Sequence, residues 1–193
     1  MKEIGIFGGS FNPVHAGHMI VADYMAQFGG YDEVWLTLSP LNPLKAGEAA
    51  REFLPDSQRL EMLRLAVGNC PRLKVCDIEL KLPRPSYSFV TLDTLARLHP
   101  DCHFSMIVGS DNWQLFDRWR NAHYILETYG VTVYPRPGYP VETGVPGMRL
   151  VNAPVVELSS TFVRDAIASG HDMTFFLPPN VMDYITRNNL YKQ

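Results

Sequence analysis

Two histidines three positions apart, His15 and His18, follow a glycine-rich turn near the start of the chain. Neither Gly8 nor Gly9 has a Cβ, so the backbone can bend there and approach a ligand closely. An apolar run precedes the turn and helical periodicity begins near Gly17. A strand, a glycine turn and a helix N-terminus in this order attract anions, because free backbone N–H groups and the helix dipole favour negative charge. The segment therefore predicts a site for phosphate groups, with two imidazoles as further donors.

A second segment with anion-binding residue types begins at Ser159. Ser159, Ser160 and Thr161 open a helical pattern that runs to about residue 168, and Arg164 lies one turn into it. Hydroxyl side chains at a helix start commonly accept hydrogen bonds from the first backbone N–H groups, and the segment taken alone favours simple capping. The alternative is that the hydroxyls, the backbone N–H groups and Arg164 bind a triphosphate.

Apolar runs of strand length alternate with helical patterns and indicate the scaffold that must position these residues. The runs are residues 4–7, 34–38, 73–78, 104–108 and 131–134. The helical patterns are residues 17–28, 56–67, 87–98 and 112–126. This alternation predicts an α/β fold, in which βαβ units form a central parallel sheet with helices on both faces. Ligands bind beyond the carboxyl ends of such strands, which is where the first segment lies.

The last part of the chain has a different pattern. Proline and glycine are dense over residues 135–154 and predict a long surface loop. A short strand is expected around Val155 and Val156, and a proline-initiated terminal helix over residues 178–191.

Composition limits the class of protein. The 193 residues are 46% apolar and 19% charged, which predicts one globular domain over residues 1–193. A net charge of −3 disfavours nucleic-acid binding, and no apolar run is long enough to span a membrane. Cys70, Cys76 and Cys102 lack metal-ligand spacing, so buried reduced thiols in a cytoplasmic protein are expected. His15 and His18 could ligate zinc, but no other Cys or His pair is suitably placed, so no protein-bound metal site is predicted.

The two anion-binding segments resemble a known superfamily. His15-Ala16-Gly17-His18 resembles the H-x-G-H signature of nucleotidyltransferases. The longer string Gly9-Ser10-Phe11-Asn12-Pro13-Val14-His15-Ala16-Gly17-His18 resembles their adenylyltransferase branch, with Asn12 where many members have Asp. Leu158-Ser159-Ser160-Thr161-x-x-Arg164 resembles the I-S-S-T-x-x-R element of the same branch. Because both segments match, triphosphate binding becomes the favoured interpretation of the second one.

Segments between these two narrow the family. Ser86-Tyr87-Ser88 with Thr91-Leu92-x-Thr94-Leu95 resembles the S-Y-T…D-T-L segment of bacterial nicotinate-nucleotide adenylyltransferases. Gly109-Ser110-Asp111-Asn112 with Phe116 and Trp119 resembles their G-A-D-N…F-x-x-W segment. Asn42-Pro43-Leu44-Lys45 resembles the lysine-bearing loop after their second strand. Ser88 and Ser110 replace Thr and Ala of the family pattern, and the resemblance covers nearly the whole chain.

The resemblance implies a Rossmann-like nucleotidyltransferase fold and adenylyl transfer from ATP to nicotinate mononucleotide in NAD biosynthesis. Deamido-NAD and pyrophosphate are the products. The mononucleotide phosphate attacks the α-phosphate of ATP in line, without a covalent enzyme intermediate, and Mg²⁺ is expected to arrive with ATP. A homo-oligomer is compatible with the sequence.

Site residues follow from the same resemblance. The implied catalytic residues are His15, His18, Lys45 and Arg164. The implied ATP-binding residues are Gly8, Gly9, Ser10, Phe11, His18, Gly109, Asp111, Ser159, Ser160, Thr161 and Arg164. The implied residues for nicotinate mononucleotide are Asn12, Lys45, Ser86, Tyr87, Ser88, Trp119 and Arg136.

Alternatives remain for single residues and for the function. Lys45 could be a solvated loop charge, Asp111 could cap a helix or bind a ribose hydroxyl, and Trp119 could be a core aromatic or stack on the nicotinate ring. An adenylyltransferase of the same fold could act on nicotinamide mononucleotide or phosphopantetheine. A dinucleotide-binding oxidoreductase or a passive nucleotide-binding module is disfavoured, because the first loop lacks G-x-G-x-x-G and Ser39-Pro40 replaces the usual acidic residue.

Overall fold

The computed structural model describes residues 1–40 and 54–192, and its centre is a six-stranded sheet whose neighbouring strands are parallel. The strands are β1 (Lys2–Gly9), β2 (Glu33–Leu38), β3 (Leu73–Cys76), β4 (Cys102–Gly109), β5 (Val131–Tyr134) and β6 (Met148–Leu150). Their order is β3-β2-β1-β4-β5-β6. The connections run in opposite directions from β1 and β4, so the carboxyl ends of these strands flank the point where doubly wound sheets bind ligands. The predicted α/β fold is confirmed.

Helices cover both faces of the sheet, as the sequence pattern predicts. They are α1 (Ala16–Phe28), α2 (Asp56–Val67), α3 (Ser88–Leu98), α4 (Ser110–Trp113), α5 (Ala122–Thr128), α6 (Ser160–Ala168) and α7 (Pro179–Arg187), with 3₁₀ turns at Ile78–Lys81 and Phe116–Arg118. Apolar side chains of α1, α2, α6 and α7 share one buried cluster with Phe7 and Ile107 of the sheet. Those of α3 and α5 share a second cluster with Ile4 and Ile6.

Strand β1 lies between β2 and β4 and leads into the first candidate segment. Its central residues are apolar and buried, as expected for a strand covered on both faces. Gly5 is required by packing, because a Cβ there would lie 2.5 Å from Cδ1 of Ile107 and 3.3 Å from the ring of Tyr31. The missing side chain therefore lets Ile107 and Tyr31 pack closely over the strand.

The helix predicted over residues 112–126 is wrong. The structure has α4, the 3₁₀ turn Phe116–Arg118 and α5 in this region. The ring of Phe116 packs against Trp113 and Trp119, with centroids 5.1 and 5.3 Å apart. This three-residue spacing of aromatic rings suits a 3₁₀ turn. Asn121 then adopts a left-handed φ of 57°, and α5 starts after it.

The short strand expected around Val155 and Val156 is also wrong. The edge strand is β6, which lies inside the predicted loop and pairs with β5. Gly147 adopts a φ of 81° before β6, and its carbonyl accepts a 2.9 Å hydrogen bond from the N–H of Val131. Pro154 has no N–H to donate to a sheet ladder, and Val155 is 54% exposed.

Helix α7 is shorter than the predicted helix over residues 178–191. It ends at Arg187, and Asn189 and Tyr191 have positive φ values of 49° and 60°. Leu190 is buried in the same cluster as α7, and Tyr191 packs against that cluster. The chain after α7 therefore folds back onto the buried cluster that α7 shares with the sheet.

Cysteine burial follows the expectation only in part. All three thiols are unpaired, with Cys76 buried and Cys70 and Cys102 half-buried. No helix among the described residues combines the length and the apolar character needed to cross a membrane.

Candidate active site

The two histidines stack on each other at the start of α1. His15 is the N-cap residue, with extended backbone, and the ring centroids of His15 and His18 are 3.7 Å apart. The backbone N–H of His15 donates a 3.2 Å hydrogen bond to Nδ1 of His18. Because Nδ1 accepts this bond, a neutral His18 ring carries its proton on Nε2. His18 is thus oriented as an Nε2–H donor.

The ring of Phe11 packs against the ring of His18. Its side chain is 1% exposed and meets His18 edge-on, with centroids 5.0 Å apart. A Cβ on Gly9 would lie 3.0 Å from the Phe11 ring, so glycine makes room for this packing. Phe11 itself has a φ of 43°, a conformation that costs energy for a bulky residue. Phe11 was expected to contact ATP, but its side chain is buried beneath His18 and leaves only its backbone for such a contact.

Burial keeps His15 neutral. The residue is 4% exposed, and its Nδ1 atom is buried without a hydrogen-bond partner among the described residues. Burial lowers the pKa of His15 to about 4, and the positive charge of Arg136 contributes in the same direction. At neutral pH His15 can therefore donate or accept a hydrogen bond but adds no positive charge.

Both histidines line a narrow cleft beyond the carboxyl end of β1. Its other lining residues are Phe7, Gly17, Val21, Tyr134, Pro135, Arg136, Pro137, Pro154, Val155, Val156 and Leu158. Apolar side chains and prolines form most of the wall, with the imidazoles and one guanidinium as the polar groups. The lining thus combines an apolar wall with side chains that can bind an anion.

The start of α6 lies against the loop after β1. Ser159 caps the helix, since its Oγ accepts a 3.1 Å hydrogen bond from the N–H of Phe162. Ser160 Oγ donates to the carbonyl of Pro13 at 2.9 Å, and Arg164 Nη1 donates to the carbonyl of Asn12 at 3.0 Å. The structure therefore brings together the two segments that the sequence analysis paired.

Thr161 lies on the exposed side of the same helix start. Its Oγ1 is 3.5 Å from Nη2 of Arg164. Both groups remain within reach of a ligand at this helix end.

Asn12 is fully buried, and its side chain connects the loop after β1 to other parts of the protein. Its Oδ1 accepts a 2.8 Å hydrogen bond from the hydroxyl of Tyr191 and a 3.3 Å hydrogen bond from the N–H of Leu54. Asn12 was expected to contact nicotinate mononucleotide, and Tyr191 was not among the predicted site residues. The helical pattern over residues 178–191 contains Tyr191 but gives no sign that its hydroxyl reaches Asn12.

Arg59 is a second residue that the sequence analysis missed. It is 1% exposed, and it donates hydrogen bonds to the carbonyls of Ser10 at 2.5 Å and Ser39 at 3.1 Å. Its ion pair with Asp56 measures 2.5 Å. Burial lowers the pKa of Arg59 and the pair with Asp56 opposes that shift. Arg59 thus links the loop after β1 to the loop after β2. The helical pattern over residues 56–67 does not predict these contacts.

The end of β4 contributes Gly109, Ser110 and Asp111 beside Arg136. The N–H of Arg136 donates to Ser110 Oγ at 2.8 Å, and Nε of Arg136 lies 3.8 Å from the carboxylate of Asp111. A Cβ on Gly109 would overlap Asp111 Oδ1 and lie 2.8 Å from Cδ of Arg136. Glycine is therefore needed here. Arg136, expected at the mononucleotide, lies in the pocket with His15.

Ser86, Tyr87 and Ser88 precede and begin α3 on the other side of the sheet edge. The guanidinium of Arg120 lies over the ring of Tyr87, 5.0 Å from its centroid, and places this segment beside the turn that carries Trp119. Ser86 is 7% exposed. The structure therefore brings these predicted residues together, separately from the pocket of the two histidines.

Unpartnered polar atoms mark both sides of the sheet edge. Within residues 1–40 and 54–192, five buried side-chain polar atoms have no hydrogen-bond partner. Four belong to residues predicted for the site: Nδ1 of His15, Oγ of Ser86, Oδ1 of Asp111 and Nε1 of Trp119. Buried polar atoms are normally paired, so ligand groups at these positions would satisfy them. Lys45, the remaining predicted residue, lies outside the described residues.

Comparisons with known proteins agree with the geometry. A profile of the cytidylyltransferase-like family matches residues 6–166. A probable nicotinate-nucleotide adenylyltransferase of Bacteroides thetaiotaomicron is 48% identical over 185 residues, which cover 95% of this chain and 90% of the relative. One of Flavobacterium johnsoniae is 42% identical over 99% of this chain and 100% of the relative.

Solved structures share the fold. Nicotinic acid mononucleotide adenylyltransferase of Plasmodium falciparum in complex with NaAD superposes with a TM-score of 0.80 at 21% identity, covering 99% of this chain and 98% of that one. A putative nicotinate-nucleotide adenylyltransferase of Vibrio parahaemolyticus gives a TM-score of 0.75 at 22% identity, covering 100% and 97%. With the sequence matches above, the chain belongs to the cytidylyltransferase-like family and, within it, to the bacterial nicotinate-nucleotide adenylyltransferases.

Proposed function

We propose that this protein transfers the adenylyl group of ATP to nicotinate mononucleotide and releases pyrophosphate, forming deamido-NAD. The curated relatives at 48% and 42% identity have this activity in their names. The observation that carries the proposal is the position of the unpartnered polar atoms. His15 lines the same cleft as Arg136, which lies near Asp111, whereas Ser86 and Trp119 are chain neighbours of the stacked pair Tyr87 and Arg120. Two separate ligand subsites are what a transfer between two nucleotides requires.

ATP occupies the side that carries the two histidines. A Cβ on Gly8 would meet no atom within 4 Å, so packing does not require glycine at this position. The open space at the end of β1 instead lets a phosphate approach the backbone. The adenine ring would pack against the prolines and Val156 that wall the narrow cleft beside it. Ser160, Thr161 and Arg164 at the start of α6 face the β- and γ-phosphates.

Catalysis consists of positioning and charge stabilisation. The mononucleotide phosphate is ionised at neutral pH and is itself the nucleophile, so neither an activating base nor an enzyme nucleophile is needed. It attacks the α-phosphate in line and expels pyrophosphate without a covalent enzyme intermediate. His18 donates from Nε2 to the α-phosphate oxygens as charge develops there. His15 acts as a neutral donor, while Arg164 and Lys45 supply positive charge.

Nicotinate mononucleotide occupies the other side. The half-buried indole of Trp119 stacks on the pyridine ring. Ser86 Oγ and the backbone beside Trp119 donate to the carboxylate, and Tyr87 and Ser88 line the same subsite. Because buried donors matched to a carboxylate are left mispaired by a carboxamide, the site should prefer nicotinate over nicotinamide mononucleotide.

Mg²⁺ enters as part of the ATP substrate. No group of three or more His, Cys, Asp or Glu side chains in the described part of the chain is arranged to hold a metal ion. Asp111 offers one unpartnered carboxylate oxygen at the edge of the ATP side, and oxygen is the ligand type that Mg²⁺ prefers. The same oxygen could accept from a ribose hydroxyl. The ion would neutralise charge on the leaving pyrophosphate.

Pyrophosphate release tests the proposal. The protein is mixed with ATP and Mg²⁺ and, in parallel, with nicotinate mononucleotide, nicotinamide mononucleotide or phosphopantetheine. Strong turnover only with nicotinate mononucleotide is the expected result. Turnover with another acceptor would keep the ATP side and overturn the assignments of Ser86 and Trp119. No turnover with any of the three would overturn the acceptor assignment altogether.

A further inference from the structure

Arg120 lies beside the proposed acceptor subsite, and neither the family resemblance nor the sequence analysis gives it a role. It follows Trp119 directly in the chain. Its guanidinium covers the ring of Tyr87 with 5.0 Å between Cζ and the ring centroid. A guanidinium stacked in this way keeps its planar set of N–H donors available at its edge. The stack therefore holds a cation beside Tyr87, one residue along the chain from Trp119.

The surroundings of Arg120 leave its donors available. No hydrogen bond or ion pair joins it to any of the residues in the described ranges. The other arginines that border the site differ in this respect. Arg84 forms a 2.6 Å ion pair with Asp56, and Arg136 lies 3.8 Å from the carboxylate of Asp111. Arg120 thus differs from Arg84 and Arg136 in having no ion-pair partner among the described residues, and from Arg118 in stacking on an aromatic ring.

Two further donors lie on residues adjacent to this stack. Ser86 precedes Tyr87, and its 7% exposed side chain has an Oγ without a partner. Trp119 precedes Arg120, and its Nε1 is buried without a partner. The guanidinium of Arg120 and the unpartnered hydroxyl of Ser86 favour a ligand group with several acceptor atoms. A carboxylate has this character, whereas a carboxamide presents an NH₂ group that cannot accept.

We propose that Arg120, held flat on Tyr87, is a specificity-determining residue that recognises the carboxylate of the acceptor's pyridine ring. The inference rests on the proposed function and names the residue that discriminates acid from amide. A planar guanidinium matches a planar carboxylate through paired N–H···O bonds. Because this contact lies away from the reacting phosphates, it contributes to binding of the acceptor more than to the chemical step.

The experiment compares Arg120→Met with Arg118→Met. Methionine keeps an apolar stem and removes the charge, and Arg118 is an exposed arginine on the same turn with no such ring contact. The values of kcat and KM are measured for nicotinate mononucleotide and for nicotinamide mononucleotide at fixed ATP. For a partly exposed charge-assisted hydrogen bond, Arg120→Met should lower kcat/KM for the nicotinate substrate about tenfold, mainly through KM, with about twofold change or less for the amide. Arg118→Met should leave the ratio of the two substrates unchanged.

Two further measurements separate recognition from structure. Arg120→Lys keeps the positive charge but lacks the planar pair of N–H donors of a guanidinium. It should retain only part of the preference for nicotinate over nicotinamide mononucleotide. Added NaCl should reduce the nicotinate preference of the parent protein more than that of Arg120→Met, since salt screens an exposed charge.

An unchanged substrate ratio in Arg120→Met, with the parent enzyme turning over nicotinate mononucleotide, would overturn the role of Arg120 alone. An equal fall of the ratio in Arg118→Met would also overturn it, because a general electrostatic effect would then be responsible. Failure of the parent protein to use nicotinate mononucleotide would instead overturn the proposed function, and the role of Arg120 with it.

Discussion

The hydroxyl of Tyr191 donates a 2.8 Å hydrogen bond to Oδ1 of Asn12, in the loop that follows β1. The same Oδ1 accepts from the N–H of Leu54, and the backbone carbonyl of Asn12 accepts from Arg164. Segments that are distant in sequence thus meet at one buried residue of the glycine and histidine loop. The position of His18 therefore depends on contacts from α6 and from the chain after α7.

Replacing Tyr191 with Phe should weaken both stability and ATP use. The change leaves one acceptor position of a buried oxygen unsatisfied and should lower the free energy of unfolding by about 1 kcal/mol. A less fixed loop should also lower kcat/KM for ATP. Urea unfolding and steady-state kinetics measure the two effects. Tyr184→Phe is the control, because the Tyr184 hydroxyl makes no hydrogen bond to a described residue. Equal behaviour of the two variants would contradict the role of the Tyr191 hydroxyl.

Replacing His18 with Ala should remove a transition-state contact without unfolding the protein. Loss of one preorganised donor to developing negative charge typically lowers kcat by about 10²- to 10³-fold. The thermal transition should remain close to that of the parent, because His18 is only half-buried. His171→Ala, at an exposed position, is the control. Turnover near the parent rate in His18→Ala would refute the assigned role.

Gly8→Ala distinguishes a ligand-contacting glycine from a packing glycine. A Cβ at residue 8 would meet nothing within 4 Å, so stability should change by less than about 1 kcal/mol. If a phosphate approaches this backbone, the added methyl group should raise the KM for ATP by about tenfold, as expected from steric penalties of 1–3 kcal/mol.

The matched comparison is Gly5→Ala. A Cβ there would lie 2.5 Å from Ile107, so this variant should lose stability while its folded fraction binds ATP normally. Unchanged ATP binding in Gly8→Ala would argue against a phosphate at the end of β1.

His15 should make the protein less stable as the pH falls. Burial lowers its native pKa to about 4, against 6.5 for an exposed histidine. Above pH 6.5 both native and unfolded states hold the ring neutral. Between pH 6.5 and 4 the unfolded state binds the proton first, so the free energy of unfolding falls by up to about 3 kcal/mol.

His15→Asn removes the titrating group and with it this pH-dependent part of the free energy of unfolding. Urea unfolding of parent and variant at pH 7 and pH 4.5 should therefore show a smaller loss of stability in the variant. Identical pH dependence in the two proteins would show that His15 is not held neutral by burial.

Local signals in the sequence carried the prediction of the main elements. The apolar run, glycine turn and helix start around residues 4–18 form β1 and the start of α1, and Ser159 caps α6 as its residue type predicts. Caps, turns and periodicity act between residues a few positions apart. The prediction over residues 112–126 was wrong, because the contacts of Phe116 with Trp113 and Trp119 outweigh its helical pattern.

The sequence by itself determined the alternating α/β fold and the family, and it predicted two segments that bind phosphate, since each rests on short patterns. Only the tertiary structure decided that Arg59 joins two loops, that Tyr191 holds Asn12, that His15 is neutral, and that Arg120 lies on Tyr87. These properties arise from burial and from contacts between residues far apart in the chain. No local pattern encodes them, because the same residue types occur equally well on a solvated surface.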